Sequence, residues 1–293
     1  MIISKIIGGL GNQMFQYAAG KRLSLHRGTT LLLDTSAFTE YRLREYGLDC
    51  FSFATNNATD LELRRVLPAS GSPLKTAVNA LKIWSKSLER PIPLIRERHF
   101  NFDPSILELS DNTCLEGYWQ SEKYFRDIEP VIRNDFTFRH KPDAENQRIL
   151  ETIRGVNSVG IHIRRGDYVE NGRTNEIHGV CSEEYYRRAV ERITGSVSTP
   201  RYFIFSDDIA WAKKAMSFLS PVSFIDNNVS AHHHEDMRLM ANCKHHIIAN
   251  SSFSWWSAWL NADPNKIVIA PKHWFIDFAK DTRDLIPSDW IRM

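Results

Sequence analysis

Ile161-His162-Ile163-Arg164-Arg165-Gly166-Asp167-Tyr168 closes an apolar run, Val159 to Ile163, with two guanidiniums, a glycine and a carboxylate. A half-buried strand alternates apolar and polar residues, and here the alternation ends in paired arginines. Successive strand residues face opposite sides. Arg164 and Arg165 are therefore expected to point apart, one toward a ligand cleft and one into the domain or toward Asp167. Arginine presents a planar fork that matches phosphate oxygens and keeps its charge. The expectation is a grip on the diphosphate of a nucleotide sugar. The alternative is a surface ion pair between Arg165 and Asp167.

Downstream of this stretch the pattern is regular. Ser182 caps a helix through Arg192, and a strand, Arg201–Phe205, runs into Ser206-Asp207-Asp208. A helix from Ile209 to Phe218, a strand Val222–Ile225 ending at Asp226 and a helix Glu235–Ala241 follow. A strand His245–Ala249 ends in Asn250-Ser251-Ser252, then come a helix Phe253–Leu260 and a strand Ile267–Ile269. Strands alternating with helices predict a parallel sheet with right-handed crossovers. Ligands of such sheets bind beyond the carboxyl ends of the strands, where Arg164, Ser206-Asp207-Asp208, Asp226 and Asn250-Ser251-Ser252 gather. The last triplet offers small hydroxyls and free N–H groups to a phosphate, or plain N-caps.

Upstream, Met1–Ile7 reads as a strand, Gly8-Gly9-Leu10-Gly11-Asn12-Gln13 as a turn, Met14–His26 as an amphipathic helix and Thr29–Leu33 as a second strand. This is a βαβ opening without the later glycine of a dinucleotide fingerprint. Asn12 and Gln13 are expected to meet a sugar hydroxyl rather than to pack. A short helix, Asp60–Leu67, stops at Pro68, and Leu74–Leu88 is helical with a basic face, read as solvated. Tyr118, Trp119 and Gln120 follow a strand; aromatic faces there could stack on sugar rings or join a core. The polar stretch Arg139–Glu145 is the expected linker, giving domains 1–145 and 146–293.

At 293 residues, with 42% hydrophobic and 25% charged residues, the chain suits two soluble globular domains. A net charge of +2 is too mild to argue for nucleic acid. Cys50, Cys114, Cys181 and Cys243 show neither zinc spacing nor a disulfide framework, which predicts a reducing, cytoplasmic setting. No signal peptide and no membrane span are read, so any membrane role is peripheral, on the inner face.

Together, residues 9–17, 117–120, 162–167, 205–208 and 250–256 resemble the bacterial alpha-1,2-fucosyltransferases of glycosyltransferase family 11. The resemblance implies an α/β chain of the B type, two Rossmann-like domains facing across a cleft, with an acceptor-side N-terminal domain. It implies inverting transfer of L-fucose from GDP-fucose to the 2-hydroxyl of a terminal galactose on an oligosaccharide or lipid-linked glycan, as in O-antigen biosynthesis, with no cofactor and no metal. It puts Arg164 on the β-phosphate and His162 on the nucleotide, with Arg165, Ser206, Asp207, Asp208, Asn250, Ser251 and Phe253 around the donor. Asp236 would read the guanine and Ser252 would donate to the β-phosphate. Gly11, Asn12, Gln13, Tyr118, Trp119 and Gln120 would lie on the acceptor side. No single residue aligns as general base; Glu170, Glu176 and His178 are candidates, with Asp167 as a fourth.

Three rival readings remain at this level. Asp207-Asp208 could hold Mg²⁺ or Mn²⁺ in a metal-dependent transferase using another nucleotide sugar. His232-His233-His234 with His245-His246 could bind a metal, although consecutive histidines converge poorly on one ion. A non-catalytic sugar-binding protein is the third.

Overall fold

The computed structural model of the chain describes residues 1–40, 45–54, 56–68, 90–166, 179–228, 233–276 and 280–293. The helix expected over Leu74–Leu88, His232, and the base candidates Asp167, Glu170, Glu176 and His178 lie outside the described residues. The chain divides into two compact units, Met1–Arg139 and His140–Met293. The division falls at the start of the polar stretch 139–145, not at its end.

The first unit is built on five parallel strands, β1 (Ile2–Lys5), β2 (Leu31–Asp34), β3 (Val66–Pro68), β4 (Ile92–Arg96) and β5 (Thr113–Glu116), in the order β2-β1-β5-β4-β3. Helix α1 (Leu10–His26) connects β1 to β2. It differs from the expected amphipathic helix in two ways. It starts at Leu10, so that Gly11, Asn12 and Gln13 form its first turn, and it is buried nearly all round. The physical reason is close approach: a Cβ on Gly20 would lie 2.9 Å from Leu31 Cδ1 and 3.0 Å from Ser4 Cβ, so the helix lies directly on the sheet. The helix expected over Asp60–Leu67 ends early. Thr59 and Glu62 form a capping box over Asp60–Arg64, and Val66–Pro68 then joins β4 as the edge strand, where a proline is tolerated.

The second unit carries six parallel strands, β6 (Asn157–Ile163), β7 (Pro200–Ser206), β8 (Val222–Ile225), β9 (His245–Ile247), β10 (Val268–Ala270) and β11 (Ile291–Arg292), in the order β11-β10-β9-β6-β7-β8. Helices α2 (Ala144–Arg154), α3 (Glu183–Thr194), α4 (Ile209–Ala215), α5 (His233–Ala241) and α6 (Ser252–Leu260) connect or flank them. The two-residue edge strand β11 was not legible. The pleat of β6 splits its side chains. Val159, Ile161 and Ile163 enter an apolar cluster with Tyr186, Ala189, Ile204 and Ala212, on the side of α3 and α4. Gly160 and His162 face the other way, Gly160 against Met240 and Cys243, and His162 against Phe253. The chain steps from β6 through β7 to β8, then returns to β9 on the other side of β6. The strand order thus reverses between β6 and β9, where ligands of such sheets lodge. Among the described residues no helix is long and apolar enough to cross a membrane.

Candidate active site

At the tip of β6 the two arginines meet the two carboxylates that end β7. Arg164 Nη1 stands 3.0 Å from Asp207 Oδ2. The Arg165 backbone N–H donates to Asp207 Oδ1 at 2.8 Å, and Arg165 Nε lies 3.4 Å from Asp208 Oδ2. Asp208 Oδ1 accepts from the Trp211 N–H at 3.0 Å and so caps α4. All four carboxylate oxygens are engaged. The Arg165 guanidinium also lies 4.2 Å from the centre of the Trp211 ring, a cation–π contact on the side of α4. Asp208, fixed by its cap, and the face of Trp211 together hold the Arg165 side chain; Asp167, the other expected partner, lies outside the described residues. Gly166 permits the approach: a Cβ there would lie 2.8 Å from Asp207 Oδ2. Ser206 Oγ accepts from the Asp208 N–H at 3.0 Å, which shapes the turn.

His162 is 6% exposed, and its Nδ1 has no hydrogen-bond partner among the described residues. Burial pushes its pKa down to about 4, with the Arg164 charge adding to the fall and the Asp207 charge opposing it. The imidazole is therefore neutral near pH 7. Its ring lies 5.6 Å from that of Phe253, in the first turn of α6. The Tyr186 hydroxyl donates to the His162 carbonyl at 3.1 Å and steadies the strand end.

Across the switch point, α6 opens with Ser251 as its N-cap, whose own side chain makes no capping bond. Ser252 and Phe253 form its first turn, where backbone N–H groups face outward. Asn250 behaves differently from the expected ligand contact. It is buried, and its Nδ2 donates to the carbonyls of Gly179 and Trp274 at 3.3 and 3.2 Å. It ties loops together beneath the site. Asp226, at the end of β8, pairs with Lys213 at 3.0 Å on the surface.

Asp236 sits in the first turn of α5. Burial raises its carboxyl pKa to about 6, against the pull of the Asn228 amide, which donates to Oδ1 at 2.7 Å. Asn146, Asn227 and Asn228, whose amides gather behind it, carried no signal in the sequence, and neither did Trp211. Asparagine is the ordinary residue of caps and turns, so only tertiary proximity distinguishes these.

In the first unit, Asn12 and Gln120 are brought together, with Gln120 Nε2 donating to Asn12 Oδ1 at 2.7 Å. Gln13 corrects the expectation. It is fully buried, its Nε2 donates to the carbonyls of Gly8 and Glu45, and its Oε1 accepts from the Gly47 N–H. With its amide spent on main chain it clamps loops and offers nothing to a sugar. Trp119 is also a correction. It is buried against Tyr124, edge to face at 5.7 Å, so its face is unavailable for stacking. Tyr118 beside it is 39% exposed. Gly11 lies buried in the first turn of α1.

The histidine cluster is structural where it is described. His245 Nδ1 accepts from the Ile267 N–H at 3.1 Å, and the buried His246 bonds Asn261 at 3.0 Å. Among the described residues no three His, Cys, Asp or Glu side chains form a group able to hold a metal ion.

Residues 96–293 match the family model of glycosyl transferase family 11. The chain belongs to this family. Among family relatives, it is 34% identical to the alpha-1,2-colitosyltransferase of Escherichia coli over 100% of this chain and 99% of that one. It is 30% identical to the O-antigen biosynthesis glycosyltransferase WbnK of Escherichia coli, over 99% of each. It is 29% identical to galactoside 2-alpha-L-fucosyltransferase Sec1 of Mus musculus, over 49% of this chain and 41% of the mouse protein. The crystal structure of the NodZ alpha-1,6-fucosyltransferase co-crystallised with GDP superposes with a TM-score of 0.51 at 14% identity, over 92% of this chain and 94% of that one. That likeness shows the fold, the α/β B-type glycosyltransferase architecture. The family 11 protein is thus a glycosyltransferase whose second unit carries a braced arginine at the switch point of a parallel sheet.

Proposed function

We propose that this family 11 glycosyltransferase moves L-fucose from GDP-fucose to the 2-hydroxyl of a terminal, beta-linked galactose, with inversion and without a metal. The observation that carries the reading is Arg164, braced by Asp207 at 3.0 Å, at the carboxyl end of β6 beside the switch point of the sheet. In the reaction the acceptor oxygen bonds to the anomeric carbon. The bond from that carbon to the β-phosphate oxygen breaks, and GDP leaves with the electron pair. The acceptor proton passes to a base, for which Glu170, Glu176, His178 and Asp167 are the candidates. Negative charge grows on the β-phosphate as the bond breaks. A guanidinium already aimed there stabilises the transition state more than the ground state. The N–H groups opening α6 and the Ser252 hydroxyl add donors to the same diphosphate. Neutral His162 packs against the nucleotide, and Asp236 accepts from the guanine edge. Asn12, Gln120 and exposed Tyr118 serve the acceptor.

Metal independence is supported by the engagement of all four oxygens of Asp207 and Asp208; a divalent cation would displace Arg164 or Arg165 to reach them. With a lipid-linked acceptor the enzyme would work at the inner membrane face. The test is a screen of GDP-sugars against beta-galactosides, with excess EDTA in one arm and the product linkage read by NMR. A 1,2-linked alpha-fucoside formed equally in both arms is expected. Another linkage, another nucleotide, or loss of activity in EDTA overturns the corresponding part. A second donor has its own support: the whole-length identity to a colitosyltransferase favours colitose, the 3-deoxy analogue of fucose. The ratio of kcat/KM for the two donors decides between them.

A further inference from the structure

Behind Asp236 lies a closed side-chain network drawn from three elements. Asn146, in the first turn of α2, is fully buried. Its Nδ2 donates to Asn228 Oδ1 at 2.9 Å, and Asn228 Nδ2 donates back to Asn146 Oδ1 at 3.0 Å. This reciprocal amide pair fixes both side chains about their last torsion. The second N–H of each amide then has one place to go. That of Asn146 reaches Asp143 Oδ2 at 3.0 Å, and Asp143 is itself held as the N-cap of α2 by the N–H groups of Glu145 and Asn146. That of Asn228 reaches Asp236 Oδ1 at 2.7 Å. Asn227 Nδ2 adds a further bond to Asn146 Oδ1 at 3.1 Å. The chain of bonds therefore runs from a helix terminus, through two amides, to one oxygen of one carboxylate. Asp236 Oδ1 is held, while Oδ2 takes no hydrogen bond among the described residues.

We propose that Asn228, locked by Asn146, is a positioning residue that presents Asp236 Oδ2 to the purine edge of the nucleotide and so sets base selectivity. The proposal rests on the reading of Asp236 as the guanine acceptor. A carboxylate oxygen that must meet the N–H edge of guanine needs a fixed plane. A free aspartate in a first helical turn would rotate about its last torsion, which is broad for a planar terminal group. Asn228 supplies the fixing bond, and it also favours the charged form of the acid, because an amide N–H donates to a carboxylate. The groups acting on that charge are Glu235, which opposes it and is itself paired with Arg238 at 2.8 Å, and His234, which favours it. From the facing elements come Asn228 itself and, behind Asn146, the capping carboxylate of Asp143.

The experiment is calorimetric titration of the full chain with GDP and with ADP, across pH 5 to 8, for wild type, Asp236→Asn, Asn228→Ala and Asn146→Ser. Asp236→Asn is expected to abolish the preference for GDP over ADP. Asn228→Ala is expected to reduce that preference about tenfold, the scale of one hydrogen bond to a charged group. It should also move the acid midpoint of GDP binding upward, because the protonated acid has lost less than the charged form. A merely structural role would weaken GDP and ADP alike and leave the midpoint in place, and that result overturns the proposal. Asn146→Ser, which acts one bond further back, should produce a smaller change of the same sign and serves where Asn228→Ala does not fold. If Asp236→Asn keeps the GDP preference, the guanine reading fails and the proposal with it. If Asp236→Asn loses the preference while Asn228→Ala keeps it, only the positioning role fails.

Discussion

Arg164 leans on Asp207 at 3.0 Å, and that brace governs how its substitutions behave. Arg164→Ala is expected to lower kcat by about 10²–10³, the loss of one preorganised donor to a developing charge. Arg164→Lys should not recover it, since an ammonium is a point charge and cannot bridge Asp207 and a phosphate oxygen as a fork does. Steady-state kinetics check both, and a lysine variant near wild-type activity would remove Arg164 from the mechanism. Asp207→Asn keeps the shape but loosens the aim, and a fall in kcat of up to about 10²-fold is expected with little change in melting temperature. The pH profile adds a separate handle on Asp236. Burial raises its carboxyl pKa to about 6, so on the proposed role kcat/KM for the nucleotide sugar should fall as pH drops through about 6, where the carboxylate becomes protonated. A profile flat from pH 7 to 5 would count against its role.

At the scale of elements, the first turn of α1 holds two adjacent amides with opposite duties. Gln13 binds three main-chain groups of flanking loops, whereas the Asn12 amide oxygen accepts from a side chain, that of Gln120. Gln13→Ala would strand the carbonyls of Gly8 and Glu45 and the N–H of Gly47. Urea denaturation should show a loss of about 2–4 kcal/mol. Asn12→Ala should change stability by less than about 1 kcal/mol and instead raise the acceptor KM. The reverse pattern would exchange their roles. Adjacent residues of the same chemical type could not be separated by reading the chain. The helix had been expected to begin at Met14, whereas its actual start at Leu10 turns Gln13 into the core and leaves Asn12 half-exposed. The second unit was more legible, because β6, β7 and β8 are apolar runs that each lead into a polar residue. Ser182 as a cap, the strand Val222–Ile225 and the helix ending at Leu260 all stand as read. In the first unit Val66–Pro68 was hidden, since a three-residue strand has no periodicity and its pairing with β4 is non-local.

For the whole molecule, acid is the expected weak point. His162 and His246 are both held neutral by burial, with pKa values pushed down to about 4 and about 3 from an ordinary 6.5. The unfolded chain takes up these protons as pH falls below 6.5 and the native chain does not, so their contribution is complete above that pH. It is lost progressively between pH 6.5 and about 4. Asp236, with its raised carboxyl pKa, works in the opposite direction over part of that range, one group against two. The net expectation is a loss on the order of a few kcal/mol between pH 7 and 4.5 in urea denaturation. His246→Asn, which keeps a polar partner for Asn261 without a titrating ring, should flatten the slope. An unchanged slope would show that the imidazole is protonated in the native state.

By itself the sequence determined the α/β class, the strand–helix alternation of the second half, and the charged and hydroxyl-bearing strand ends at Arg164, Asp207 and Ser251-Ser252. These depend on local periodicity and on the residue types that close a strand, which neighbours in sequence dictate. Tertiary structure alone decided which partner each charge took. Arg165 took Asp208 and Trp211, Trp119 and Gln13 went into the interior, and Asn146, distant in sequence, joined Asn227 and Asn228 behind Asp236. A buried polar group must find its partner wherever the fold brings one within about 3 Å, and sequence separation carries no information about that distance.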